Sequence, residues 1–208
     1  MIKIKLLIFD FDGTIARSKT LYTNALYDVL KNNGCHRSKK EVARVLGYRL
    51  EVALPMLGIK KKELMERIEK EVNAIALRGA RFLTPCPDVS QLNNILGKRY
   101  SVLITNSLTQ YAMPFVKARG LKFKEVLGSD MFSSKQEAFK KMFKKLGIKP
   151  SEAIYIGDRS NDVDVARDAG CKAAIIANRC SWSLREEILK KRPDYLIEGI
   201  KDVGKFVN

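Results

Sequence analysis

The chain has few of the residues that build metal or redox centres from nitrogen and sulfur. It contains one histidine, His36, and four cysteines. A lone histidine without clustered ligands argues against a transition-metal site, so we interpret His36 as a polar loop residue. The cysteines show neither CxxC pairs nor the framework of a small secreted domain, so we expect them to be reduced in an intracellular, cytoplasmic protein. They are Cys35, Cys86, Cys171 and Cys180.

Long apolar runs are also absent from the sequence. The run nearest the amino terminus is interrupted by Lys3 and Lys5 and leads into an acidic motif. This pattern predicts a core strand rather than a targeting or membrane-spanning segment. We therefore expect no membrane partner, and no feature of the sequence specifies an oligomeric state.

Acidic residues are outnumbered by basic ones, with 23 Asp and Glu against 39 Lys and Arg and a net charge of +16. A surface of this charge attracts polyanions and steers anionic substrates. The lysines are scattered through helical segments, without interleaved aromatics or a nucleic-acid-binding motif. A solvated basic surface is therefore favoured over a dedicated groove, and a surface that binds nucleic acid is the alternative.

A motif of two carboxylates, a glycine and a hydroxyl ends the first apolar run. It reads Asp10-Phe11-Asp12-Gly13-Thr14. Asp10 and Asp12 point to the same side of an extended chain, at a strand end where open parallel sheets bind ligands. Two neighbouring carboxylates stay ionised only beside a cation, and Mg²⁺ prefers oxygen ligands. Taken alone, the run would equally suit a strand followed by an Asp-Gly turn.

A second acidic strand end lies far downstream. The apolar run 153–156 leads into Gly157-Asp158, with Asp162 one helical turn further on. Asp158 is placed to reach a cation held by Asp10, and Asp162 lies on the same side. A helix N-cap at Asp158 or Asn161 would explain one acid there, but not the pairing of the two strand ends.

A third apolar run, 100–104, ends in Thr105-Asn106-Ser107 before a helical stretch from 108 to 119. Hydroxyl and amide donors at a helix start suit an anion such as a phosphoryl group. The alternative for these three residues is a plain helix cap. Their position at a strand end favours the anion site.

Lys135 precedes a segment with the apolar spacing of an amphipathic helix. A lysine at a helix start opposes the macrodipole, so we expect another interaction to justify Lys135 there. We interpret the basic side of this helix as a solvated face. The apolar side comprises Ala138, Phe139, Met142, Phe143 and Leu146, and the basic side Lys140, Lys141, Lys144 and Lys145.

Strand and helix patterns alternate along most of the chain after residue 83, which predicts a parallel sheet with helices on both faces. We expect strands at 125–128, 153–157, 173–177 and 195–197, and a helix over 88–98. Residues 17–82 show helical spacing throughout, with a capping-box pair at Ser38 and Glu41. We therefore expect an inserted helical domain at 17–82, with hinges near 16–20 and 81–87, and a core formed by 1–16 and 83–208.

Four motifs in this order resemble those of the haloacid dehalogenase-like hydrolase superfamily, in its Mg²⁺-dependent, phosphoglycolate phosphatase-like branch with a helical cap. The resemblance covers nearly all of the 208 residues. It implies a Rossmann-like α/β core with an inserted all-helical cap. The motifs are Asp10 to Thr14, Thr105-Asn106, Lys135, and Gly157-Asp158 with Asp162.

The resemblance implies roles for the acidic residues. Asp10 would be the nucleophile that forms an aspartyl-phosphate, and Asp12 the general acid and base. Mg²⁺ would be held by the Asp10 carboxylate, the Asp12 backbone carbonyl and Asp158, with Asp162 outside the ligand set. The phosphoryl oxygens would be held by Thr105, Asn106 and Lys135.

The expected activity is hydrolysis of a small phosphorylated metabolite of the phosphoglycolate, sugar phosphate or nucleotide type. Asp12 favours phosphate ester hydrolysis, because family members that act as dehalogenases lack this acid. Two alternatives are kept: a sugar phosphomutase of the same superfamily, and a noncatalytic basic binding protein that retains the fold. Within the expected cap, Gly47-Tyr48-Arg49 separates two helical segments. Tyr48 and Arg49 are candidates for substrate specificity, or residues of an ordinary turn.

Overall fold

The computed structural model describes residues 3–206, and within them the chain forms eight strands. Six of these form one parallel sheet in the order β5-β4-β1-β6-β7-β8. The predicted α/β class with a parallel sheet flanked by helices is confirmed. The strands are β1 (Leu6–Phe9), β2 (Ala16–Arg17), β3 (Thr84–Pro85), β4 (Tyr100–Ile104), β5 (Glu125–Leu127), β6 (Ala153–Gly157), β7 (Lys172–Ile176) and β8 (Tyr195–Ile197).

Strand β1 lies inside the sheet, between β4 and β6. Phe9, its last residue, is in register with Leu103 on one side and Ile156 on the other. The chain adds β4 and β5 on one side of β1, then crosses over to add β6, β7 and β8 on the other. The strand order thus reverses at β1, and open α/β sheets bind ligands at the carboxyl ends of strands at such a point.

Nine α-helices occur in residues 3–206, and none of them is both long and apolar enough to cross a membrane. The helix expected over 88–98 is instead broken into a 3-10 turn, Val89–Gln91, and a short α-helix. The 3-10 turn begins after Asp88, because the backbone φ of Asp88 is 63°, which is left-handed and lies outside helical geometry. The helices are α1 (Lys19–Asn32), α2 (Lys39–Val45), α3 (Leu50–Met56), α4 (Lys62–Gly79), α5 (Asn93–Leu96), α6 (Thr109–Ala118), α7 (Lys135–Leu146), α8 (Ser160–Ala169) and α9 (Arg185–Lys190).

Helices α7 and α8 pack on one face of the sheet. Side chains of alternate residues along β1, such as Leu6 and Ile8, join this core, because successive residues of a strand point to opposite faces. The four lysines predicted to be a solvated face of α7 are exposed. The residues of α7 that enter the core are Ala138, Phe139, Met142 and Phe143.

The chain divides into two compact units, Met1–Arg17 with Thr84–Asn208, and Ser18–Leu83. The second unit consists of α1 to α4, and α1 and α4 bury apolar residues that include Leu26, Val29, Ile68 and Val72. The predicted capping box at the start of α2 is present: Ser38 Oγ accepts from the Glu41 N–H, and Glu41 Oε2 accepts from the Ser38 N–H.

The expectation that all four cysteines are reduced is wrong. Cys86 and Cys180 form a disulfide, whereas Cys35 and Cys171 are free. Both half-cystines are buried, and 94 positions separate them along the chain. Spacing could not reveal this pair, because neighbouring loops of the fold bring the two residues together. Cys86 directly follows β3, which pairs antiparallel with β2 and was not predicted.

Candidate active site

Asp10 is the first residue beyond β1 and is only 6% exposed. Its backbone N–H donates to the Ile156 carbonyl, which continues the ladder with β6 by one further bond of 2.8 Å. One carboxylate oxygen, Oδ1, accepts from the Phe11 N–H at 2.8 Å, and Oδ2 is 2.8 Å from Lys135 Nζ. The carboxylate is thus fixed at both oxygens where the strand leaves the core.

Lys135 is the first residue of α7 and is 6% exposed. Ser134 caps the helix, since its Oγ accepts from the Glu137 N–H at 3.2 Å. The ion pair with Asp10 supplies the interaction that the lysine's unfavourable place at a helix start led us to expect.

Asp12 is held by the loop that follows β4. Ser107 Oγ donates to Asp12 Oδ2 at 2.6 Å, and Thr105 Oγ1 lies 3.5 Å from the same oxygen. Thr105 Oγ1 also accepts from the Ser107 N–H at 3.0 Å. The alternative of a plain helix cap is not what forms, because α6 begins at Thr109 after Leu108, in the N-cap position, without a side-chain cap. Asn106 lies between Thr105 and Ser107 and is half-buried.

Asp158 follows β6 and is fully buried. Thr14 Oγ1 donates to Asp158 Oδ1 at 3.2 Å, and the Trp182 N–H donates to Oδ2 at 2.6 Å. Gly13, with φ of 75°, lies directly against this carboxylate and the Trp182 ring, so no side chain fits there. The motif after β1 and the loop carrying Trp182 therefore enclose Asp158.

Asp162 lies in the first turn of α8 and is 4% exposed. Its Oδ2 accepts from the backbone N–H groups of Asp158, at 3.1 Å, and Arg159, at 3.0 Å. Its Oδ1 accepts from the Tyr155 hydroxyl at 3.1 Å. Neither Asp158 nor Asn161 is the N-cap of α8. The N-cap residue is Arg159, and the carboxylate of Asp162, three residues on, accepts from its N–H and from that of Asp158, which orders the loop carrying Asp158.

The site places three carboxyl groups close together and away from water. Carboxylate oxygens of Asp10, Asp158 and Asp162 lie within 4.8 Å of one another. Burial raises the pKa of Asp10, and Asp162 adds to the rise while Lys135 opposes it. Burial, with Asp162 and Asp10 nearby, raises the pKa of Asp158 well above its usual range. Buried carboxylates that resist joint ionisation suit a hard divalent cation, and Mg²⁺ fits this all-oxygen donor set.

The structure brings together most of the residues that the sequence singled out, and it adds two, Tyr155 and Trp182. Ser107, expected with Thr105 and Asn106 to bind an anion, donates to Asp12. The sequence marks Tyr155 only as a polar residue inside an apolar strand. Trp182 acts through its backbone N–H, which no residue pattern reveals. Tyr48 and Arg49 lie in the helical unit between α2 and α3, where both are half-buried.

Comparison with known proteins identifies the family. The sequence matches the haloacid dehalogenase-like hydrolase family over residues 7–176. It is similar to the pyrophosphatase PpaX of Oceanobacillus iheyensis, 24% identical over 98% of this chain and 97% of the relative. It is also similar to a phosphoglycolate phosphatase of Aliivibrio fischeri, 26% identical over 95% of this chain and 94% of the relative.

Solved structures agree in fold. A haloacid dehalogenase-like hydrolase from Bacteroides fragilis superposes with a TM-score of 0.85, at 21% identity over 97% of this chain and 100% of that one. The chain belongs to the haloacid dehalogenase-like hydrolase family. It is an enzyme, a phosphatase of this family similar to phosphoglycolate phosphatases.

Proposed function

We propose that the protein is a Mg²⁺-dependent phosphatase that hydrolyses a small phosphomonoester through an aspartyl-phosphate at Asp10. The observation that carries this proposal is the arrangement at the end of β1. Asp10 is paired with Lys135, while Asp12, two residues on, is held separately by Ser107. Two carboxylates in different surroundings suit two different tasks in one reaction.

In the first step, a carboxylate oxygen of Asp10 attacks phosphorus, and the bond from phosphorus to the ester oxygen breaks. Asp12, in its protonated form, gives its proton to the departing alkoxide, so that an alcohol leaves. Ser107 and Thr105 orient the Asp12 carboxyl group for this transfer.

In the second step, water attacks the phosphorus of the aspartyl-phosphate. Asp12, now a carboxylate, takes the proton from that water, and the bond to Asp10 breaks to release inorganic phosphate. Both carboxyl groups return to their starting protonation states. One difficult displacement is thereby divided into two easier ones.

The Mg²⁺ ligands that we propose are the Asp10 carboxylate, the Asp12 backbone carbonyl and the Asp158 carboxylate. When bound, Mg²⁺ neutralises charge on the phosphoryl oxygens. The raised pKa values of Asp10 and Asp158 support this assignment, because a nearby cation is what favours their ionised forms. Asp162 is assigned outside the ligand set, with the role of ordering the loop that carries Asp158, because its Oδ2 accepts from the Asp158 and Arg159 N–H groups.

We assign Thr105, Asn106 and Lys135 as the residues that bind the phosphoryl oxygens. The Lys135 ammonium already contacts the proposed nucleophile, so it lies beside the phosphoryl group that Asp10 would accept. Fixed donors of this kind stabilise the charge that redistributes in phosphoryl transfer.

We assign residues 17–82 as the helical cap domain that the resemblance implies, with Tyr48 and Arg49 as candidates for substrate specificity. We would test phosphoglycolate and pyrophosphate as substrates, because relatives are named for acting on them. Sugar phosphates and nucleotides complete the set of substrates to be tested. Binding of nucleic acid is not favoured, and a cytoplasmic location stays a prediction. The disulfide argues against a cytoplasmic location, because disulfides are uncommon in the cytosol of most organisms.

The test is release of inorganic phosphate from an aryl phosphate, with Mg²⁺ and with a chelator, for the wild type and for Asp10→Asn. We expect Asp10→Asn to lower turnover by about 1,000-fold or more, because it removes the nucleophile while keeping its shape. The matched control is Asp164→Asn, which changes a carboxylate on α8 that pairs with Lys191 near the surface. Its turnover should equal that of the wild type.

Other outcomes separate the two alternatives. A phosphorylated sugar product without free phosphate would identify a phosphomutase. A folded wild type that binds Mg²⁺ but turns over no phosphate ester would identify a noncatalytic binding protein. Wild-type activity in Asp10→Asn would refute the assignment of the nucleophile.

A further inference from the structure

A tyrosine hydroxyl is buried inside the core next to the site. Tyr155 lies in the middle of β6 and is 0% exposed, with its ring 4.9 Å from that of Phe139. A buried phenol normally finds a hydrogen-bond partner. This one has two charged partners: Lys135 Nζ donates to it at 2.6 Å, and it donates to Asp162 Oδ1 at 3.1 Å.

The hydroxyl connects the two halves of the site. Lys135 contacts Asp10 at 2.8 Å, and Asp162 binds the N–H groups of the loop that carries Asp158. Burial, with Asp10 and Asp162 nearby, raises the pKa of Tyr155 well above its usual range, so the hydroxyl keeps its proton. It therefore donates to the carboxylate and accepts from the ammonium at the same time.

Without this hydroxyl, the Lys135 ammonium would face two carboxylates, those of Asp10 and Asp162. Carboxylate oxygens of Asp10 and Asp162 lie within 4.8 Å of each other, so a freed ammonium could pair with either. A neutral group standing between Lys135 and Asp162 satisfies both and leaves the remaining ammonium protons for Asp10. The phenol is rigid, since its ring is packed against Phe139.

We propose that Tyr155 is a positioning residue, whose hydroxyl stands between Lys135 and Asp162 and thereby holds the Lys135 ammonium on Asp10. The proposal rests on the proposed function, because the ammonium held in this way is the group assigned to the phosphoryl oxygens. Tyr155 itself touches neither Asp10 nor a phosphoryl group in this scheme, and acts through Lys135.

The first experiment is Tyr155→Phe, which removes the hydroxyl and keeps the ring. We expect affinity for inorganic phosphate, measured as competitive inhibition in the presence of Mg²⁺, to fall about tenfold, as for a lost hydrogen bond to a charged group. The matched control is Tyr195→Phe on β8, where Lys172 Nζ donates to a tyrosine hydroxyl at 3.3 Å. Phosphate affinity of that variant should be unchanged.

A double-mutant cycle with Lys135→Met separates positioning from general damage to the core. If Tyr155 acts through Lys135, adding Tyr155→Phe to Lys135→Met changes phosphate affinity by less than about twofold. Fully additive losses would show that Tyr155 acts by another route, and would overturn the proposal.

A crystal structure of Tyr155→Phe tests the placement without any turnover. We expect Lys135 Nζ to leave Asp10 Oδ2 for Asp162. An ammonium that stays on Asp10 as in the wild type would overturn the proposal for Tyr155, whatever the enzyme hydrolyses. A wild type that releases no phosphate from any ester would refute the proposed function instead, and the crystallographic result would still decide the role of Tyr155.

Discussion

At the scale of single residues, Gly13 occupies a position of the site that leaves no room for a side chain. A Cβ atom there would overlap the Asp158 carboxylate and lie 2.6 Å from Cδ1 of Trp182. The backbone φ of 75° adds strain for any other residue. We expect Gly13→Ala to displace Asp158 and to lower turnover by about 100-fold, the effect of a misplacement of about 1 Å. Phosphate release and Mg²⁺ titration would measure it.

Gly34 provides the control for backbone strain. Its φ is 72°, close to that of Gly13, but a Cβ atom would meet nothing within 4 Å. Gly34→Ala should therefore cost about 1 kcal/mol of stability, from the left-handed backbone alone, and leave turnover unchanged. Equal losses of turnover in the two variants would contradict the view that Asp158 is the group displaced.

The residues that sequence patterns identified share a local signature. Asp10, Asp12 and Asp158 lie within three residues of the end of an apolar run, and a run of that kind ends at the edge of a parallel sheet where a site forms. Tyr155 and Trp182 have no such signature, because their contacts come from the packing of β6, α7 and α8 and from the course of a loop. Side-chain and backbone contacts between distant segments are fixed by tertiary structure, which one sequence does not display.

At the scale of secondary structure too, elements with a local sequence pattern were predicted and elements without one were missed. The strands β4 and β6 were predicted within one residue, because short apolar runs bounded by polar ends are typical of buried strands. The ribbon of β2 and β3 was missed, since two-residue strands carry no periodicity. The helix predicted over 88–98 was wrong because its apolar spacing is also met by a 3-10 turn followed by one turn of α-helix.

The cap of α7 connects helix stability with the site. Ser134 Oγ accepts from the Glu137 N–H, and the next residue is Lys135. Ser134→Ala should cost about 1 kcal/mol, as typical for loss of an N-cap. Because the frayed turn carries Lys135, we also expect KM for a phosphate ester to rise several-fold. Urea unfolding and steady-state kinetics would measure the two effects.

Ser38→Ala is the matched variant in the helical unit. Ser38 caps α2 in the same way, through the Glu41 N–H at 3.2 Å. We expect a similar loss of stability with KM unchanged, since α2 carries no residue assigned to phosphoryl binding. A rise of KM in Ser38→Ala equal to that in Ser134→Ala would show that lower stability, and not the position of Lys135, is the cause.

At the scale of the whole molecule, the disulfide joins distant parts of the larger unit. Cys86 and Cys180 are 94 positions apart, and a cross-link over a loop of this length stabilises by about 4–5 kcal/mol through the entropy of the unfolded chain. We expect the Cys86→Ser/Cys180→Ser double variant to unfold at a clearly lower temperature. Cys35→Ser, at a free and half-buried cysteine, should unfold as the wild type does.

Thiol counting checks the same bond without mutation. In unfolded but unreduced protein, a thiol reagent should find two groups, Cys35 and Cys171, and four after reduction. In the folded protein Cys171 should react slowly, because burial raises its pKa to about 12 and keeps the thiol protonated. Four reactive thiols before reduction would show that the disulfide does not form in solution.

The charge of the molecule bears on how its substrate arrives. At +16 the protein attracts a phosphate ester over distances set by the screening length, about 30 Å at 0.01 M salt and about 8 Å at 0.15 M. We expect kcat/KM to fall several-fold over this range of KCl, with kcat little changed, because salt weakens the encounter and not the chemistry within a buried site. Sucrose of equal viscosity controls for diffusion.

A Lys140→Gln/Lys144→Gln variant, at two exposed positions of α7, should reduce the salt dependence. A kcat/KM that is independent of salt would show that the basic surface serves another purpose than substrate capture.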